Sequence, residues 1–409
     1  MPKKTKRPAK AAKNSAKKPA KKPAKKAAKK PASKPAKKAV KKAVKKPAKK
    51  ARKGAGKKAA TKAVKPARAA APAHGHQPPP PMQLMQMVMG FMVSKSISAA
   101  AKLGLADHLA GGPLYYTDLA AVAGLDQKAL HRLMRALASV GVFKETAPGT
   151  YGLTPLSELL RSGVRGSLRD MAVMVTTPSH WLPWGKLEDT LRAGISVADS
   201  VLGTDLWAYY RENAEEGAWF NGAMTSFSGM TAGAVLEAYD FSKARRIIDV
   251  GGGHGFLLST LLAAAPQATG AVYDLPQVTQ TAPAPDPAVA ERIEFIGGDF
   301  FQFVPIGGDI YTLKHIIHDW PDDQCRTILQ NIANSMNSDG KVLILDAVLP
   351  DECNADPGFV MDLNMLAMTP GGCERTAHQF NELVQSSGLR ISRIIQTPSP
   401  VCVIECVKA

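Results

Sequence analysis

Apolar and polar positions alternate in two ways along this chain, and the first stretch follows neither. From Met82 onward Met85, Val88, Met89, Met92 and Val93 recur at helical spacing, and the run reaches Leu103 with hardly a charge. A helix apolar on most faces needs cover, and in a small domain a second subunit is a natural source of it. Shorter helices follow, with Thr117 capping Asp118 to Ala123 and Asp126 capping Gln127 to Val140. Gly141-Val142-Phe143 and Tyr151-Gly152-Leu153 flank an Ala-Pro-Gly-Thr turn, which suggests a β-wing, so the order reads as a winged helix. Residues 155 to 240 read as helical, with breaks at Pro178, Pro183, Gly194 and Gly203.

After Ser242 short apolar strands alternate with helical segments. The strands are Arg246 to Val250, Ala271 to Asp274, Arg292 to Ile296, Asp309 to Leu313 and Lys341 to Asp346; helices fall at Phe256 to Ala265 and Pro321 to Met336. That alternation predicts an α/β domain, a doubly wound Rossmann-like sheet. The predicted organisation is a tail (1–81), a winged-helix dimerisation domain (82–165), a helical connector lining an acceptor pocket (166–240) and a ligand-binding α/β domain (241–409).

The tail has no apolar period. It repeats Lys-Lys-Pro-Ala and ends in Gln77-Pro78-Pro79-Pro80-Pro81. Proline interrupts helices and paired lysines repel, so the tail is expected to be disordered, with a stiff spacer at its end. Charge sharpens the division. The tail holds 27 Lys and 3 Arg, and no Asp or Glu occurs before Asp107, leaving 23 basic residues against 34 acidic ones, a net of −11, for the rest. Cys325, Cys353, Cys373, Cys402 and Cys406 are odd in number and lack CxxC spacing, which predicts reduced thiols in a cytosol and no metal site. The start of the chain is too basic for a secretory signal and lacks its apolar core, and no membrane span is expected.

Candidate chemistry lies at the predicted strand ends. Asp249-Val250-Gly251-Gly252-Gly253-His254-Gly255 closes the first strand and opens a helix. Phe256 stands where a dinucleotide fingerprint needs a small residue, and no Gly-Lys-Ser/Thr follows, so the turn suits a ligand bound without phosphate. Asp274 and Asp299 end the next two strands, at the edge where open α/β sheets bind ligands. Past the fourth strand runs Lys314-His315-Ile316-Ile317-His318-Asp319-Trp320-Pro321. A histidine there can remove a proton from a phenol, and Asp346 and Glu374 can orient its imidazole. His315 reads more simply as a packing histidine, and Glu374-Arg375 as a possible surface pair.

These motifs, with Tyr273-Asp274-Leu275-Pro276, Gly298-Asp299-Phe300-Phe301 and Pro370-Gly371-Gly372-Cys373-Glu374-Arg375-Thr376, make the chain from Met82 onward resemble the plant caffeate and animal acetylserotonin O-methyltransferases and their bacterial relatives. The resemblance implies a homodimer using S-adenosyl-L-methionine, with donor contacts from Asp249, Gly251, Gly253, Gly255, Asp274, Asp299, Phe300 and Lys314. It implies His318 as base between Asp346 and Glu374, no metal, and an acceptor pocket containing Phe220, Met224, Asp319, Met365 and Thr369. Asp346 is shorter than the Glu usual in the plant enzymes, and Thr369 replaces their Asn.

The implied reaction is methylation of a phenolic hydroxyl on a small aromatic acceptor, in the cytoplasm. Two rivals stand beside it: a DNA-binding regulator retaining a methyltransferase shell, supported by Lys128, His131, Arg132 and Arg135 on one helix, and methylation at nitrogen or carbon by the same fold. The tail resembles the lysine-alanine-proline tails of linker histones and bacterial histone-like proteins, which implies nucleoid association. It lacks aromatic residues for stacking, so it should bind duplex DNA by charge without regard to sequence. Removing residues 1–80 should abolish DNA retention in gel shifts, and retention by the full chain should fall steeply with salt. Equal binding by the truncated protein would move the role to the winged helix.

Overall fold

The computed structural model describes residues 78–409. The disorder and DNA expectations for the basic tail lie outside the described residues. Helix α1 (Pro80–Val88) starts inside the proline run, because Pro80 at a first helical position has no N–H to leave unbonded; the spacer therefore ends two residues earlier than its composition suggests. One residue, Met89, separates α1 from α2 (Gly90–Lys102). Met82, Leu84, Met87, Phe91 and Met92 stand 49–75% exposed on this pair. Its 23 residues are also long and apolar enough, by length and composition alone, to cross a membrane. That corrects the expectation that no stretch reaches such a length; alanine, glycine and serine extend the run without adding charge. Midway along it Lys95, though exposed, is tied to the body of the protein, its Nζ donating to the Thr176 carbonyl at 2.9 Å and hydroxyl at 3.0 Å.

Asp126 caps α3 (Gln127–Ser139), its Oδ1 accepting from the Ala129 N–H at 2.8 Å, and the helix buries Leu130, Met134 and Leu137. Thr117 does not cap its helix, which begins at Tyr116, where the backbone N–H finds the Gly149 carbonyl at 2.9 Å. Phe143–Ala147 and Thr150–Leu153 form an antiparallel hairpin that Leu114–Tyr115 extends to three strands. Six short helices then lead to the 25-residue helix α4 (Ala214–Ala238), which packs along Arg169–Met174.

The large sheet contains β1 (Arg246–Val250), β2 (Thr269–Asp274), β3 (Ile293–Gly297), β4 (Ile310–Lys314), β5 (Lys341–Asp346), β6 (Leu389–Gln396) and β7 (Cys402–Lys408), in the order β6-β7-β5-β4-β1-β2-β3. The five parallel strands are those expected. The antiparallel pair β6–β7 was not, since its strands lie beyond the βα repeat that revealed the others. Successive residues point to opposite faces, and both faces are buried. Ile248, Val250, Tyr311 and Leu313 pack on helix α6 (Asp322–Ser335) and helix α8 (Ala377–Gln385). Ile247, Leu343 and Leu345 pack on α5 (Phe256–Ala264) and the end of α4. Helix α7 (Gly358–Met368) falls between α6 and α8 in the chain. The carboxyl ends of β1 to β5 thus share one rim.

The far end of α4 is fixed by a buried charge. Glu405 on β7, 3% exposed, accepts from the Tyr239 hydroxyl at 2.6 Å, Lys341 Nζ at 2.9 Å and Arg393 Nη2 at 3.1 Å. Burial alone would raise its pKa; these partners outweigh burial and hold it at about 2. A folded pKa depressed below an unfolded value near 4.5 means the stabilisation is complete above pH 4.5 and lost as pH falls toward 2. Glu405→Gln should therefore cost roughly 1–3 kcal/mol in urea unfolding at pH 7, and its difference from the wild type should narrow on acidification. A difference independent of pH through that window would sink this account.

Candidate active site

The glycine turn after β1 is left-handed at Gly251 (φ 70°), Gly253 (φ 58°) and Gly255 (φ 76°), which side chains with a Cβ resist. A Cβ at Gly251 would collide with Ile316, and one at Gly255 would lie 2.8 Å from Val272. The strand-end aspartates have different local partners. Asp249 is 1% exposed beneath the turn; its Oδ1 accepts from Thr312 Oγ1 at 2.6 Å and its Oδ2 has no partner. Burial raises its pKa to about 6. Asp274 accepts from the Gly253 and Leu275 N–H groups, each at 2.7 Å, tying the end of β2 to the turn. Asp299 accepts from the Phe301 N–H and Gln302 Nε2, as a local turn former does.

Lys314 ends β4, and burial lowers its pKa to about 8 despite nearby Asp249, Asp346 and Asp319. Phe300 stands edge-on to Trp320. The orphaned Asp249 Oδ2 and His254 Nε2, beside a turn open to close backbone approach, fit a ligand carrying hydroxyl and ammonium donors.

Past β4 the chain reverses at His315, whose φ of 53° is the only left-handed backbone among the described non-glycine residues. A short 3₁₀ turn, Ile317–Asp319, then carries His318 inward. His318 Nδ1 lies 2.8 Å from Glu374 Oε1, and its Nε2 lies 3.6 Å from Asp319 Oδ1. Asp346 lies with a carboxylate oxygen within 4.8 Å of a His318 ring nitrogen. Asp346 is fully buried at the end of β5 and lies nearest to His315, with Oδ1 3.5 Å from Nδ1. The two imidazoles stack with centroids 5.0 Å apart at 22°, and Asp346 lies close to a ring nitrogen of each. Burial works against a charged His318, but Asp346, Asp319 and Glu374 prevail and raise its pKa to about 9. Burial lowers that of His315 to about 4, helped by Lys314.

Folding also brings together what sequence spacing did not show: one donor atom each from His315, His318 and Asp346, all within 4.8 Å of one another.

Glu374 reaches this cluster because Arg375 is not a surface residue. Its guanidinium, 2% exposed, bonds the carbonyls of Ile317, Trp320 and Cys373 and the Asp322 carboxylate. Arg375–Thr376 also pairs in parallel with Val348–Leu349, two residues past Asp346.

The expected acceptor residues are only partly free. Phe220 on α4 stacks on Tyr210 at 4.7 Å and stands edge-on to Trp207, which stacks on Trp320 at 6.3 Å. Met224 lies one turn along α4, half-buried. Met365 is buried, and the Thr369 hydroxyl is already occupied, donating to the Met365 carbonyl and accepting from the Gly372 N–H. The sequence reading missed Trp207 and Tyr210; the aromatic run Trp207-Ala208-Tyr209-Tyr210 was the available signal.

Comparison with known proteins agrees with this arrangement. Residues 184–390 match the model of the O-methyltransferase domain, and residues 85–163 that of the O-methyltransferase dimerisation domain. The chain is 38% identical to the phenazine O-methyltransferase PhzM of Lysobacter antibioticus, over 79% of this chain and 94% of that protein. It is 33% identical to the 8-amino-8-demethylriboflavin N,N-dimethyltransferase of Streptomyces davaonensis, over 79% and 94%. The solved structure of human N-acetylserotonin methyltransferase in complex with S-adenosylmethionine superposes with a TM-score of 0.75 at 28% identity, over 82% of this chain and 99% of that one. With that rim, that glycine turn and these matches, the chain belongs to the S-adenosylmethionine-dependent O-methyltransferase family, its methyltransferase domain preceded by the family's dimerisation domain.

Proposed function

We propose that this enzyme methylates a phenolic hydroxyl of a small aromatic acceptor, with His318 as the general base. The contact that carries the reading is the 2.8 Å bond between His318 Nδ1 and Glu374, which fixes one tautomer and leaves Nε2 to take a proton. The carboxylates around His318 raise its pKa to about 9, so the free base is the minor form at neutral pH, and once unprotonated it exchanges a proton nearly evenly with a phenol near ~10. Bound S-adenosyl-L-methionine supplies an electrophilic methyl group on a sulfonium centre. In this reading Asp274 and the glycine turn hold the donor, with Asp249, Asp299, Phe300 and Lys314 around it. Trp207, Tyr210, Phe220, Trp320 and Met224 give the acceptor a flat aromatic surface, and Asp319 borders the base. An imidazole is base enough here, and no metal takes part.

The same reading keeps residues 82–165 as a winged-helix homodimerisation unit, 166–240 as the connector and 241–409 as the donor-binding domain. It also keeps a cytoplasmic enzyme whose tail holds DNA. Methylation at nitrogen is the second reading, favoured by the 33% identity to the N,N-dimethyltransferase; paired phenols and anilines as acceptors separate the two.

His318→Gln should lower turnover on the true acceptor by about 10²–10⁴ while calorimetry finds donor affinity unchanged. Full turnover would leave positioning alone as the source of catalysis. Asp274→Ala should weaken donor binding by roughly 1–3 kcal/mol, since buried polar groups lose their partner. Unchanged affinity in a folded variant would remove Asp274 from the donor site.

A further inference from the structure

We propose that His315, His318 and Asp346 form a binding site for one divalent transition-metal ion of the zinc class, and that an ion held there shuts the enzyme off. The three donors lie within 4.8 Å of one another, and the 3.5 Å between His315 Nδ1 and Asp346 Oδ1 is close to the ligand–ligand distance around a tetrahedral ion with bonds of about 2.0–2.1 Å.

Two further observations point to a ligand. Both Asp346 oxygens and His315 Nδ1 are buried without a hydrogen-bond partner, although the Asp346 carboxylate is fully enclosed. Buried polar atoms without partners are uncommon, and three on facing side chains are hard to account for by packing. His315 also holds the one left-handed non-glycine backbone among the described residues, a conformation that costs roughly 1–2 kcal/mol and turns its ring toward Asp346.

The surroundings complete a metal-site pattern. Glu374 holds His318 Nδ1 at 2.8 Å, the carboxylate–histidine pairing that orients a ligating imidazole and leaves Nε2 to face the ion. Two imidazoles and one carboxylate suit Zn²⁺, Co²⁺ or Ni²⁺ better than Mg²⁺ or Ca²⁺, which prefer oxygen. Three protein ligands leave a fourth position for water. An ion on Nε2 removes the lone pair that would take the acceptor's proton, so binding and catalysis exclude each other. The inhibition rests on His318 being the base; the metal site does not.

The test uses the full-length protein freed of metal with a chelator. Titration with Co²⁺ should give the visible absorption of a tetrahedral site, and calorimetry with Zn²⁺ should give one ion per chain at this site. His315→Asn, which keeps a residue tolerant of the left-handed turn, and Asp346→Asn should each weaken that event by more than about 10-fold, and Glu374→Gln by about 10–100-fold. Melting curves confirm folding of each variant. His74 and His76 remain in every variant, so any binding they contribute cancels in the comparison. Zn²⁺ should inhibit the wild type, EDTA should restore turnover, and metal-free enzyme should be fully active. An absent tetrahedral band, or one unchanged in both ligand variants, overturns the site. Binding that leaves turnover intact upholds the site and refutes His318 as the base.

Discussion

The buried Arg375 guanidinium gathers the carbonyls of Ile317, Trp320 and Cys373 and the exposed Asp322 carboxylate, and the geometry around His318 depends on it. The carbonyls on either side of His318 are held by the same cation whose chain neighbour, Glu374, bonds its imidazole. Its fork of donors spans this set, which the single ammonium of a lysine cannot do. Removing the guanidinium would leave those carbonyls without their donor, a typical loss of about 1–3 kcal/mol for a buried polar group left unpaired. The histidine loop and the Glu374 segment, 56 residues apart in the chain, therefore keep one relative position.

The sheet imposes a complementary constraint. Asp249, Asp274, Lys314 and Asp346 are the last residues, or nearly so, of β1, β2, β4 and β5, so their spacing is set by ladder register and not by loops. Two strands that do not bind the donor in the proposed reading still matter. Through Glu405 and Tyr239, β7 fixes the end of α4, the helix that carries Phe220 and Met224. The donor turn and the acceptor wall are thus held to one frame.

How much of this was legible in the sequence follows from the reach of each signal. Parallel strands buried on both faces leave continuous apolar runs, so β1 to β5 could be read nearly to the residue, and the glycine turn showed because left-handed backbone selects glycine. His315 takes the same backbone conformation without being glycine, and no local pattern reveals that. Its position beside Asp346 and His318 depends on where two strand ends lie in space. Arg375 looked like half of a surface pair because burial of a charge depends on remote carbonyls. Thr369 was read by position alone, although its hydroxyl was already engaged in closing α7 and the turn at Gly372.

The exposed ridge formed by Met82, Leu84, Met87, Phe91 and Met92 lies at the start of the dimerisation domain. A second folded copy can cover such a surface, and an unfolded chain offers no matching one. Where two folded chains pair at this ridge, association draws the folding equilibrium by mass action, and resistance to unfolding becomes a function of protein concentration. A dilute solution and a crowded one hold molecules of the same sequence with different margins of stability.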